Sequence, residues 1–381
     1  MHHQAVESHP RFLRRYEYSP DATSARHYNP AVCALAGKIV MAWRIQNERG
    51  LSRIVAATLG KNYQLGKITE IKIDAPEKTH IEDPRLCVIE GELLLFVATV
   101  LYGKTFTFIQ RGFVLGADFQ PLREIPLPYG KNGKGTHEKN WMPFALPSGK
   151  LGLVQQIAPE HVVIDTGTGA VHRTPGITKW RWGTMSGRSN AVLLPDGERY
   201  LALIGGHQEH AKRCSEYWFG AYTFSAEAPH EILSVSRDPL VWASDRTPAL
   251  INPFDPLWNP LVVFPAGLVL REDQALISLG LNDSYNALMQ FPLEELLANH
   301  VKPSELTGTE RLLAPPAATP AGDLVRVKNV GKQWLGERGG PYKPGDEWFT
   351  SEDRVVALGD SVRVVSSPAP VSQLSSLNSQ P

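Results

Sequence analysis

Glycine and proline punctuate this chain so densely that long helices have little room to form. The 381 residues include 32 glycines and 30 prolines, and both types end regular elements and mark turns. Short apolar or alternating runs lie between them: Lys38 to Trp43, Leu86 to Val100, Leu151 to Gln156, Tyr200 to Ile204, Leu261 to Val269 and Ala275 to Leu281. These read as strands. Turn signals such as Pro147-Ser148-Gly149, Asp165-Thr166-Gly167 and Pro195-Asp196-Gly197 suit hairpins rather than βαβ crossovers. One segment, Leu293 to His300 after Pro292, predicts a short helix. The expected fold class is all-β.

Lysine plus arginine equals aspartate plus glutamate at 39 each, which removes the global positive field of a nucleic-acid or anionic-membrane binder, so any anion site must be focal. The three cysteines, Cys33, Cys87 and Cys214, are too few and too scattered for a disulfide framework or a Cys-x-x-Cys metal pair. They fit a reducing compartment. No window holds 18 uninterrupted apolar residues, and Met1 to Pro20 lacks the apolar run of a signal peptide, so a cytoplasmic protein is expected.

A weak internal repeat places a polar signature just before successive strand pairs: Tyr28-Asn29-Pro30, Glu82-Asp83-Pro84-Arg85, Glu138-Lys139-Asn140-Trp141-Met142-Pro143, Ser186-Gly187-Arg188-Ser189-Asn190 and Phe264-Pro265-Ala266-Gly267. Their spacing suits four-stranded blades with variable loops, and five signatures predict a five-bladed β-propeller whose polar residues meet at the central channel. Irregular turns in a β-sandwich are the alternative. Residues 1–300 are assigned to the propeller and 301–322 to a Pro/Ala-rich linker. Residues 323–367 are read as a small β module and 368–381 as a disordered tail.

Several common catalytic motifs are absent, including G-x-G-x-x-G after a strand, G-x-x-x-x-G-K-[ST], H-E-x-x-H and G-x-S-x-G. The chemistry rests instead on the carboxylates, cations and amides of the repeat signatures. Singly, each has a bland reading as a turn residue, a strand-end charge or a core histidine.

As an ordered set, Ile81-Glu82-Asp83-Pro84-Arg85, Lys139-Asn140 before Pro143, Gly205-Gly206-His207, Val263-Phe264-Pro265-Ala266-Gly267 and Leu279-Gly280-Leu281-Asn282-Asp283 resemble the blade motifs of glycoside hydrolase family 130. That family comprises β-mannoside phosphorylases and shares its five-bladed propeller with related inverting mannosyltransferases. The resemblance spans residues 27 to 290. It implies that Asp83 is the catalytic proton-transfer group, acid in cleavage and base in synthesis. It further implies that Arg44, Arg85, Lys139 and His207 serve the anion, with Arg188 joining them. Asp283 would receive hydroxyls of the transferred sugar, and Asn29, Glu82 and Asn140 would make further sugar or anion contacts.

Two departures from the phosphorylase pattern point toward transfer. Trp141 offers a stacking face for a sugar or nucleobase, or else packs between blades, and Arg188 adds a cation suited to a diphosphate. The first reading is an inverting glycosyltransferase that moves mannose or a relative from an activated donor to a carbohydrate-like acceptor. The second is a β-mannoside phosphorylase or hydrolase, and the third a non-catalytic carbohydrate-binding propeller. No metal and no tightly bound cofactor is expected, only a sugar nucleotide or phosphate as co-substrate. The C-terminal module loosely resembles small β modules of phage structural proteins, which would suit a nucleic-acid acceptor, but the neutral charge gives that no support.

Overall fold

A computed structural model describes Val6 and residues 9–16, 26–46, 51–76, 79–102, 106–128, 139–210, 214–242 and 259–306. It also describes the C-terminal segments 324–329, 335–337, 340–342, 347–351 and 362–369. The molecule is a five-bladed β-propeller followed by separate small sheets. Blade 1 comprises Arg26–Leu35, Lys38–Gln46, Ser52–Leu59 and Thr69–Ile71; blade 2 comprises His80–Ile89, Glu92–Tyr102, Phe106–Leu115 and Pro121–Ile125. Blade 3 comprises Met142–Ala145, Leu151–Gln156, Glu160–Asp165 and Val171–Pro175.

Blade 4 departs from this plan. Its inner strand is split into Thr184–Gly187 and Val192–Leu193, both paired with Arg199–His210. Cys214–Ser225 and Ile232–Ser236 follow, and His300–Val301 adds to the outer edge. The interval expected as a linker therefore opens with strand residue Val301, and Leu306 is buried in the core shared by blades 3 and 4; residues 307–323 lie outside the described residues.

Blade 5 draws on distant parts of the chain. Val263–Arg271, Gln274–Leu281 and Tyr285–Pro292 form its inner strands, and Phe12–Tyr16 supplies the outermost one, with Arg15 opposite Ala287 and Tyr16 opposite Asn286. This pairing covers an edge that would otherwise expose open backbone groups. The expected helix is shorter than Leu293 to His300: it spans Leu293–Leu297, buries Leu296, and gives way to the edge strand at His300.

Strand alternation builds the ring. In blade 1, Val40 and Ala42 face blade 2, whereas Ile39, Met41 and Trp43 face blade 5. In blade 2, Leu93, Leu95 and Val97 face blade 1, and Leu94 and Phe96 face blade 3. Because successive side chains point to opposite faces and both faces meet a neighbouring blade, the middle strands read as continuous apolar runs. Among the described residues, each of the five seams holds a hydrophobic cluster, and the one between blades 4 and 5 holds a second, of Val262, Phe264 and Ala266 with Tyr217.

In the C-terminal region, Leu324–Asn329 lies between Glu347–Ser351 and Val362–Ala369, and Leu335–Glu337 pairs with Gly340–Tyr342. Among the described residues, none of these strands pairs with a blade. The expected tail lies outside the described residues from 370 onward. Among the described residues, no helix is long and apolar enough to cross a membrane.

Candidate active site

The inner strands of blades 1 and 2 are bent at the same place in their signatures. Pairing slips between Tyr28 and Ala31 and between Glu82 and Arg85, so each strand carries a bulge centred on Asn29-Pro30 or Asp83-Pro84. Asn29 and Asp83 take left-handed backbone conformations, with φ of 54° and 51°. Asn and Asp tolerate this region better than other non-glycine residues, and the following proline has no N–H to leave unpaired. Asn140 does the same at the start of blade 3, with φ of 64°. The signatures are thus devices that turn a polar side chain out of the ladder and toward the channel.

The turned-out groups meet. Asn29 Nδ2 donates to Asp83 Oδ1 at 2.8 Å. Arg44 Nη2 donates to Glu82 Oε1 at 2.7 Å, its Nη1 stands 3.7 Å from Asp83 Oδ1, and Nε donates to Ser52 Oγ. The same guanidinium lies 4.7 Å from the centre of the buried Tyr28 ring. Arg85, 1% exposed, donates from Nη1 to the main-chain oxygens of Asp83 and Pro84 and from Nη2 to Asn140 Oδ1 at 3.4 Å. Blade 5 makes space for this cluster: a Cβ on Gly280 would overlap Asn29.

The two neighbouring carboxyls are pushed in opposite directions. For Asp83, burial favours the neutral acid, but Arg44, Arg85, the Asn29 hydrogen bond and Lys139 together hold its carboxyl below the usual range. For Glu82, burial prevails over Arg44, reinforced by the charge of Asp83, and the net direction is upward. The Arg44 guanidinium, 2.7 Å from Oε1, opposes that upward push.

A second group of residues comes from blades 4 and 5. The break in the inner strand of blade 4 releases Arg188, which is 4% exposed. Its guanidinium passes Gly205, where an added Cβ would overlap Nε. It lies 4.4 Å from the centre of the Phe264 ring and 5.7 Å from that of Tyr217. Arg85 faces the same Phe264 at 5.3 Å. Burial lowers both guanidinium pKa values, Arg85 to about 10, and proximity to Arg188 adds to the effect on Arg85. His207 stacks on Tyr217 with ring centres 5.3 Å apart and planes 20° apart. Asn190 joins blades 4 and 5 by exchanging two hydrogen bonds with the Leu268 backbone.

Asp283 occupies a tight hairpin turn in which both Asn282 and Asp283 have φ of 47° and the Ser284 N–H reaches Leu281 O, as a type I′ turn requires. Its charge acts on Tyr28, Arg44, Glu82 and Arg188. Lys139 is exposed, with Nζ 4.1 Å from the centre of the Phe108 ring, and its charge is felt at Glu82 and Asp83.

Asn29, Arg44, Glu82, Asp83, Arg85 and Asn140 therefore form one contact network, with Lys139 and Asp283 within electrostatic reach. Arg188 and His207 join through Phe264 and Tyr217. Two expectations change. Trp141 is 1% exposed and packs among Phe96, Leu94 and Leu153 between blades 2 and 3, so it offers no stacking face. Arg44, expected at the anion, is committed to Glu82. Sequence reading assigned no role to Tyr28, Tyr217 or the space left at Gly205. Tyr217 lies in mid-strand beside no turn signature, and only its register opposite His207 could have drawn attention to it.

No family model and no curated protein sequence matches the chain. Among solved structures, a β-1,2-mannobiose phosphorylase from Listeria innocua is similar at 15% identity, covering 75% of this chain and 98% of that one, with a TM-score of 0.56. A structure from the GH130 family of mannoside phosphorylases, a family containing glycoside hydrolases that target β-1,2 mannosidic linkages in Candida mannan, is similar at 15% identity. It covers 73% of this chain and 89% of its own, with a TM-score of 0.50. MPT-1, a GDP-Man-dependent mannosyltransferase from Leishmania mexicana, is similar at 16% identity over 72% of this chain and 88% of its own, with a TM-score of 0.48. The fold is the five-bladed propeller of the GH130 mannoside phosphorylases.

Proposed function

We propose that the protein is an inverting glycosyltransferase that moves a sugar of the mannose type from an activated donor to a carbohydrate-like acceptor. The supporting observation is the environment of Asp83, which keeps its carboxyl ionised through Arg44, Arg85, Asn29 and Lys139 despite burial. An ionised carboxylate is ready to accept a proton, as synthesis requires; cleavage would require it to arrive protonated.

In the proposed step, the acceptor hydroxyl gives its proton to Asp83 while its oxygen forms a bond to the anomeric carbon. The bond from that carbon to the donor phosphate oxygen breaks, and the departing anion keeps the electron pair. Arg188 and Lys139 would compensate its charge, while Asp283, Asn29 and Asn140 would position sugar hydroxyls. Arg44 acts as a positioning residue that holds Asp83 ionised, and Glu82 anchors the Arg44 guanidinium. Kinship of fold with mannoside enzymes favours mannose as the sugar class.

The test offers the protein sugar nucleotides with a panel of mannoside acceptors and, separately, mannosides with inorganic phosphate. Saturable sugar-nucleotide binding with glycoside formation, and phosphate acting only as a competitor, is the expected result. Phosphate-dependent release of a sugar 1-phosphate with no sugar-nucleotide binding would replace this reading with phosphorolysis.

A further inference from the structure

The anion side of the channel holds more than charge compensation requires. Among the described residues, the Arg188 guanidinium has no hydrogen-bond acceptor and no carboxylate within ion-pair distance; Asp83 and Asp283 attract it only from further away, and its close neighbours are the Phe264 and Tyr217 rings. A guanidinium set beside aromatic rings rather than against a carboxylate keeps its planar fork of N–H donors available to engage two phosphate oxygens at once. Burying such a cation is costly, and an arriving anion would offset that cost.

The aromatic surface continues beyond it. Tyr217 touches Arg188 and on the neighbouring strand stacks nearly parallel with His207. These two rings stand on the long central hairpin of blade 4, whose strands Arg199–His210 and Cys214–Ser225 each run 12 residues. The corresponding strands of blade 3 have only 6. His207 lies two residues past Gly205, the position that Arg188 Nε passes, or about 7 Å further along the strand at an extended rise of roughly 3.3 Å per residue. Inorganic phosphate would have no use for a stacked aromatic pair set outward from a buried arginine. A ligand with a diphosphate at one end and a planar base at the other would use both.

Resting on the transferase reading, we propose that Arg188, Tyr217 and His207 form a nucleoside-diphosphate subsite in which Arg188 holds the phosphates and the Tyr217–His207 stack receives the base.

Calorimetric titration of the full chain with GDP, UDP and inorganic pyrophosphate tests this. Tyr217→Ala should weaken nucleoside-diphosphate binding about tenfold or more, the scale of a base stacked on an aromatic ring, while pyrophosphate binding changes less than twofold. Tyr217→Leu, which retains apolar volume should the alanine variant fail to fold, should behave like Tyr217→Ala, and Tyr217→Phe should bind like wild type. Arg188→Met should weaken all three ligands. If wild type binds nucleoside diphosphates and the Ala and Leu variants bind them equally well, or lose pyrophosphate in parallel, the base subsite is wrong while the transferase reading stands. If wild type binds no nucleoside diphosphate, both fall.

Discussion

Blades 1 and 2 on one side of the channel and blade 4 on the other bring a polar group to the axis by opposite means. Blades 1 and 2 insert a left-handed Asn29 or Asp83 followed by proline, keep the inner strand continuous, and present a group already held by hydrogen bonds. Blade 4 breaks its inner strand in two, removes a side chain at Gly205, and feeds the long Arg188 through the gap between aromatic rings. The difference shows how each side depends on its surroundings. The carboxylate side is set by backbone conformation and charge, the cation side by empty space and ring contact.

This contrast is breakable by substitution. The largest effect belongs to Asp83→Asn, which preserves shape but cannot accept a proton: steady-state kinetics should show turnover reduced by about 10²- to 10⁴-fold, with donor affinity and the unfolding midpoint close to wild type. Next comes Gly205→Ala. Its Cβ would meet Nε of a confined arginine, so donor and pyrophosphate affinities should fall by about tenfold, the scale of hydrogen bonds to a charged group, while Asp83 titrates as before. Affinity unchanged in that variant would mean that Arg188 does not depend on the gap.

A sharper comparison comes from pH. Arg44 and Asn29 both hold the Asp83 pKa down, and the base must be ionised to act. Arg44→Met and Asn29→Ala should therefore each move the acidic limb of kcat/KM to higher pH, with Arg44→Met moving it further. An unmoved limb in both variants would separate the limb from Asp83.

The remaining effect, on stability rather than on turnover or binding, concerns the seam between blades 3 and 4. His161, fully buried, donates from Nδ1 to the His230 carbonyl and accepts at Nε2 from the Tyr222 hydroxyl. Burial pushes its pKa from 6.5 to about 4. The unfolded chain then takes up a proton below about pH 6.5 that the folded chain refuses until about pH 4, so stability falls through that window as the pH is lowered. Urea unfolding should show about 2 kcal/mol of His161-dependent loss between pH 7 and pH 5, and His161→Gln should remove that portion of the slope.

Much of the architecture was legible in the residues because blade building is local. Apolar runs such as Leu151 to Gln156 became the strands they suggested, and the Asn-Pro and Asp-Pro signatures mark bulges whose chemistry is written in two adjacent residues. Closure by Phe12–Tyr16 was not legible, since nothing local in that segment specifies a partner some 270 residues away. Trp141 was ambiguous for a related reason: an indole beside a polar signature fits a ligand or a seam equally well, and only the packing of Phe96 and Leu153 decides. The commitment of Arg44 to Glu82, and the shared Phe264 between Arg85 and Arg188, likewise arise from contacts between blades.

The central claim is that the channel keeps Asp83 ionised so that it can accept a proton. Carbon-13 NMR titration of the labelled aspartate carboxyls, with the Asp83 signal assigned by its loss in Asp83→Asn, measures this directly. The account predicts a midpoint below the ordinary aspartate value of about 3.9 that rises in Arg44→Met. A midpoint above that value in the wild-type protein would contradict it and make Asp83 a proton donor instead.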